Sequence, residues 1–150
     1  MSFAKAQPFY RLNSEPQWGG VTPLAQATPW LRSSLRKVTE LAQLPSGWDG
    51  YGSSPIQQPA IERVSEVLTA LSYLDLPYPQ LFPVPGGGIQ IEMRQGNREL
   101  EIEILPDGSI EYLLALSNGE MLEGAIPSTS IGDLLCLVYK LQGNLATVPQ

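Results

Sequence analysis

Between Ile89 and Ile126 apolar residues recur at every second position, broken only by short turns that contain glycine. Ile89, Ile91 and Met93 alternate with Gln90, Glu92 and Arg94, and Leu100, Ile102 and Ile104 alternate with Glu99, Glu101 and Glu103. A period of two marks strands with one buried face. Gly96-Asn97 between the two runs suits a two-residue hairpin loop. That loop pairs Met93 with Leu100, Ile91 with Ile102 and Ile89 with Ile104, so apolar meets apolar throughout. After Pro106-Asp107-Gly108, a two-residue loop would set Ile104 against Glu111 and turn one strand inside out. A three-residue loop with Gly108 left-handed instead pairs Ile104 with Ile110, Ile102 with Tyr112 and Leu100 with Leu114. Ser117-Asn118-Gly119 repeats the arrangement and pairs Leu114 with Leu122 and Ile110 with Ile126. The pattern predicts four antiparallel strands, near 88–94, 99–105, 109–116 and 120–126.

Elsewhere the apolar period is helical. Leu31, Leu35, Val38 and Leu41 or Ala42 predict a helix from about Pro29 to Leu44, with Thr28 as N-cap and Pro45 as its stop. Ile61, Val64, Leu68, Leu71 and Leu74 predict a second from about Pro59 to Leu74. Pro77, Pro79, Pro83 and Pro85 then read as an extended connection. A third helix follows Pro127. Ser130 and Asp133 resemble its capping box, Leu134, Leu135, Val138 and Leu141 its apolar stripe, and Gly143 its end. The expected fold is α+β: a four-stranded antiparallel β-meander with helices packed on one face, in the order α-α-β-β-β-β-α. Residues 1–28 carry three prolines with Phe3, Phe9, Tyr10 and Trp18. They read as an arm that orders on the domain or on a second chain. The expected division is an arm at 1–28, one domain at 29–143 and a frayed tail at 144–150.

Composition narrows the chemistry. The chain of 150 residues has no histidine and one cysteine. This excludes Ser-His and Cys-His nucleophiles, an internal disulfide, a zinc-ligand set and most transition-metal sites. No apolar run reaches membrane-span length, and the first residues lack the basic start and apolar stretch of a secretory signal. A cytoplasmic location without membrane contact is therefore expected, and a pI near 4.5 argues against direct nucleic-acid binding.

The net charge of −6 is local. Residues 86–126 hold eight of the acids against Arg94 and Arg98 alone, while the rest of the chain balances. A field concentrated in one segment can steer a basic partner.

One stretch has a look of its own. Leu44-Pro45-Ser46-Gly47-Trp48-Asp49-Gly50-Tyr51-Gly52 is followed by a helix and a Pro-rich link. Then come Gly86-Gly87-Gly88-Ile89, Glu99-Leu100-Glu101-Ile102-Glu103-Ile104 and Pro106-Asp107-Gly108-Ser109-Ile110. This succession, over about 44–126, resembles small uncharacterised bacterial proteins with a Trp-Asp-Gly-Tyr-Gly loop and an acidic β-meander. Glu92-Met93 stands where such proteins often carry Glu-Trp. The resemblance implies no activity and assigns no functional residue.

Two surfaces are candidates for contact with a partner. The Trp48–Gly52 loop offers Trp48 and Tyr51 as aromatic anchors with Asp49 as a polar contact. The alternative, preferred on the sequence, is that Trp48 and Tyr51 fill the core between the first two helices. The outer sheet face carries Glu92, Glu99, Glu101, Glu103, Glu111 and Glu123 with Leu113, Ala115 and Met121. The register opposes Glu92 to Glu101 and Glu103 to Glu111, and like charges directly across a sheet destabilise it. A basic partner or the basic side of the first helix covers this face, or a hard cation such as Mg²⁺ or Ca²⁺ sits among the carboxylates, or the face is simply solvated.

Carboxylates alternating on an open face, with nothing to split their pKa values, speak against acid–base catalysis. Cys136, among leucines and without a base, reads as an inert core thiol. No cofactor and no catalytic residue is expected. The expected function is a non-enzymatic, self-associating protein–protein interaction module. A narrower alternative is an antitoxin-like or immunity-like inhibitor whose acidic face neutralises a basic toxin or nuclease. A carboxylate- or metal-dependent enzyme is the third.

Overall fold

The computed structural model describes residues 29–127 and 132–143. Their elements run α1 (Trp30–Ala42), α2 (Gln58–Leu71), β1 (Gln80–Val84), β2 (Gly88–Gln95), β3 (Arg98–Ile104), β4 (Ile110–Ala115), β5 (Met121–Ile126) and α3 (Gly132–Leu141). The class is α+β, with an antiparallel sheet in the order β1-β2-β3-β4-β5. The expected arm, Thr28, Ser130 and the tail lie outside the described residues.

The sheet has five strands rather than four. The fifth is Gln80–Val84, which the prolines around it disguised as a link. It pairs Leu81 with Ile91 and Phe82 with Gln90. Proline is tolerated at a sheet edge where no partner needs its missing N–H, and β1 is an edge. The other strands have the register read from the alternation. Ile91 faces Ile102, Ile102 faces Tyr112, and Leu114 faces Leu122. Leu105 N donates to Ser109 O (2.9 Å) and Gly108 N to Leu105 O (2.8 Å), the bonding of a three-residue hairpin loop. Gly108 is left-handed, at φ +89°, a conformation that costs glycine nothing.

The inner sheet face and the helices share one core. Ile89, Ile91, Met93, Leu100, Ile102, Ile104 and Leu114 pack with Leu31, Val38 and Leu41 of α1, Val64, Val67, Leu68 and Leu71 of α2, and Leu134, Leu137, Val138 and Leu141 of α3. Two details of α3 differ from the sequence reading. Leu135 is exposed and Leu137 takes its place inward, and Cys136 is only half-buried. The hundred-degree advance per residue puts 134, 137, 138 and 141 on one face and carries 135 away from it.

Polar contacts tie the helices to the sheet. Gln57 N donates to Gly87 O (3.0 Å), and Arg63 Nε donates to Gly108 O (3.0 Å). Arg98 Nε reaches Leu141 O (2.6 Å) at the end of α3, where a cation also meets the negative end of the helix dipole. One of the two bases of the acidic segment is thus spent on the helical layer.

Candidate functional site

The outer sheet face is built by the positions that alternate with the core. Successive residues of a strand point to opposite faces, and directly opposed residues share a face. The rows therefore follow from the register. One row runs Gln80, Glu92, Glu101, Leu113, Glu123, and the next runs Phe82, Gln90, Glu103, Glu111, Ala125. A third runs Arg94, Glu99, Ala115, Met121. All the expected face residues, Glu92, Glu99, Glu101, Glu103, Glu111, Leu113, Met121 and Glu123, fall on this one surface. Glu92 stands opposite Glu101, and Glu103 opposite Glu111.

Few cations offset these carboxylates. Arg94 Nη2 lies 2.7 Å from Glu99 Oε2, and Gln90 Nε2 donates to Glu92 Oε2 (2.6 Å). The other ion pair among the described residues, Arg63–Glu66, belongs to α2. At the centre, partial burial and then the charges of Glu92, Glu99 and Glu103 raise the pKa of Glu101 above its ordinary value. Gln90, Glu101, Glu103, Glu111, Leu113 and Glu123 border a shallow depression of about 200 Å³. Met121 is 59% exposed at one rim and Phe82 41% exposed at the opposite edge.

The idea that the basic side of the first helix covers this face is overturned. α1 packs with the inner face, and its Arg36 and Lys37 line a groove of about 400 Å³ along β1 that Gln80 and Phe82 border and that none of the outer-face glutamates lines. Ser34, which also lines that groove, is buried with its Oγ unpartnered. Among the described residues no three acidic or thiol side chains are placed to hold a metal ion. Glutamates on neighbouring strands project in parallel, whereas a hard cation needs six or more converging oxygens.

The Trp48–Gly52 loop divides into two parts. Asp49 is its internal brace. Its carboxylate accepts from Tyr51 N (2.9 Å), Ser53 N (3.2 Å) and the Ser53 hydroxyl. The bonds from the Ser53 hydroxyl and then the Tyr51 amide hold Asp49 below the usual pKa. Gly47 N closes the loop on Ser53 O at 2.7 Å. Trp48 is half-buried and donates Nε1 to Ser54 O (3.2 Å). Tyr51, in contrast, is 93% exposed. The expectation that both aromatics fill the core is corrected: Asp49 draws the backbone around itself, and this turn carries Tyr51 outward. Loop and acidic face occupy different parts of the molecule's sequence and share no bordering residue in the depression.

Sequence reasoning missed Gln80 and Phe82 on the outer face, because their strand was not recognised. Leu81 and Phe82 are both apolar, so the burial of one and exposure of the other left no alternation in the sequence to find. No helix among the described residues is long and apolar enough to cross a membrane. No family model matches the chain, and no curated protein or solved structure is significantly similar to it. The resemblance to proteins with a Trp-Asp-Gly-Tyr-Gly loop rests on its residues alone.

Proposed function

We propose that the chain is a non-enzymatic protein–protein interaction module whose outer sheet face receives a positively charged partner. One observation carries this reading: a row-by-row array of glutamates, offset among the described residues by Arg94 alone and interrupted by Leu113 and Met121, stands outside the core that the helices share. Charge steers a basic partner to such a face. The apolar side chains among the acids give contact area that a purely solvated face does not need. Pairing two copies through these faces sets carboxylate against carboxylate, so self-association would have to use another surface.

The inhibitor reading is a narrower form of the same proposal. Regular rows of carboxylates present negative charge as a nucleic-acid backbone does, which suits a basic toxin or nuclease as partner. A polyanion such as heparin then competes for that partner.

The test is retention of host proteins on the immobilised chain, compared with the Glu101→Lys/Glu103→Lys double variant. Basic proteins held at low salt, released at ~0.5 M salt by screening, and not held by the variant support the reading. Equal retention by both chains overturns it. Light scattering on the purified chain reports self-association independently, and an apolar dimer keeps its mass across the same salt range.

A further inference from the structure

The two edges of the sheet differ in their backbones. In an antiparallel pair, alternate residues exchange both hydrogen bonds with the neighbour strand and the residues between them turn away. Gly87 N donates to Val84 O (3.1 Å), so Val84, Phe82 and Gln80 face β2, while Leu81 and Pro83 face the edge. Pro83 has no N–H, and Pro79 just before the strand has none either. Leu81 is left as the lone outward donor of β1. Proline at such positions blunts an edge against pairing.

The other edge has no such device. Leu116 N donates to Glu120 O (2.8 Å), which sets Leu122, Gly124 and Ile126 toward β4 and turns Met121, Glu123 and Ala125 outward. Each of these carries both an N–H and a C=O, β4 is the only strand paired with β5 among the described residues, and all are exposed. Their side chains lie on the acidic face, where they end the rows that run through Glu111, Leu113 and Ala115.

We infer that β5 accepts an extended segment of a basic protein as a sixth strand, with lysine or arginine at every second position. This rests on the acidic face being the contact surface and specifies how it is used. The open ladder supplies backbone bonds, as in strand addition generally. Directly opposed residues share a face, so one of the segment's cations falls beside Glu123, with Glu111 one strand further in, in the row of Ala125. A second copy of β5 fits less well. Full antiparallel overlap sets Glu123 against its own counterpart and joins two acidic faces, which like-charge pairing disfavours.

The geometry also dictates which amides of the segment matter. In the antiparallel addition proposed, residues opposite Met121, Glu123 and Ala125 point both their side chains to the acidic face and their N–H groups to β5. In a peptide of alternating lysine and threonine these are the lysines. The experiment uses an eight-residue peptide of this kind in three forms: unmodified, N-methylated on the lysine amides, and N-methylated on the threonine amides. All carry the same charge. Titration followed by NMR of the labelled chain is expected to show the first and third binding, with the amides of Met121, Glu123 and Ala125 protected from exchange. The second is expected to bind at least ~10-fold more weakly, since the backbone bonds of its lysine amides to β5 are lost. Ala125→Pro, which removes an outward donor and no ladder bond, weakens the first and third forms in the same direction.

Equal binding of the three peptides, or no binding at ~1 mM, overturns the strand-addition proposal. Equal binding that is lost in Glu101→Lys/Glu103→Lys does so while leaving the acidic-face reading standing. Discrimination between the methylated forms that survives Glu101→Lys/Glu103→Lys leaves the edge and removes the charge argument. A free chain of doubled mass with the β5 amides already protected assigns the edge to a second copy and overturns the basic segment as its occupant.

Discussion

Glu101 and Ile102 are neighbours in β3, yet they belong to different worlds. Ile102 is fully buried between Ile91 and Tyr112 in the core. Glu101 stands between Glu92 and Leu113 on the face outside that core. The same contrast runs along the sheet: the inner face is aliphatic, sealed by α1, α2 and α3, and tied to them by Arg63 and Arg98. The outer face is acidic and poor in cations. Stability is concentrated on one side of a single layer, and the unbalanced charge on the other. A face that costs repulsion without helping the core is where a functional explanation is needed.

The largest test of this contrast is Ile102→Glu. A carboxylate without a partner in the core costs several kcal/mol, comparable to the whole stability of a domain this size. The variant is expected to lose cooperative unfolding by circular dichroism. A folded, cooperatively melting Ile102→Glu protein would remove the distinction between the faces.

Gly108→Ala tests the attachment of the inner face to α2. Its Cβ meets Pro59 O at 3.1 Å at a φ of +89°, beside the carbonyl that Arg63 holds. A loss of about 1–2 kcal/mol is expected, read as a lower urea midpoint with an unchanged slope.

On the outer face the sign reverses. The folded chain holds the proton of Glu101 to a higher pH than the unfolded chain does, because burial and the neighbouring glutamates raise its pKa. Its contribution to stability therefore falls as pH rises through the interval between the two pKa values. Glu101→Gln is expected to raise stability by about 0.3 kcal/mol at pH 7, the scale of one cross-strand charge pair, and to change nothing below pH ~3, where both states are protonated. Paired melts at the two pH values check it. A loss of stability at pH 7 would mean that the outer face supports the fold.

Tyr51→Ala gives the smallest effect. With the ring 93% exposed, the unfolding free energy should stay within about 0.5 kcal/mol of the parent. Asp49→Ala should be larger than Tyr51→Ala, and the contribution of Asp49 is lost as pH falls through its lowered folded pKa. A thermal melt of the pair separates a loop braced by Asp49 from one anchored by Tyr51.

The register of β2 to β5 was legible because a wrong loop length exposes isoleucine and buries glutamate, so Gly96-Asn97 and Pro106-Asp107-Gly108 admit one pairing each. The acidic rows followed from the same alternation. β1 was not legible. Pro83 argues against a strand until the strand is known to be an edge with that residue turned outward, and edge position is a property of the finished sheet. The role of Tyr51 was hidden for a similar reason. An aromatic ring in a loop is equally suited to a core or a surface, and only the Asp49 bonds to the Tyr51 and Ser53 amides determine which way the turn carries it.

The sequence by itself determined the α+β class, the pairing of four strands and the concentration of acids on one sheet face. Those follow from the two-residue period of a strand, a local property. Only the tertiary structure decided that a fifth strand closes one edge with prolines, that the outward N–H groups of β5 meet no strand among the described residues, and that α1 packs on the inner face with Arg36 and Lys37 in a groove along β1. Which edge is last, and which side of the sheet the helices take, depend on contacts between residues far apart in the chain, and no local pattern encodes them.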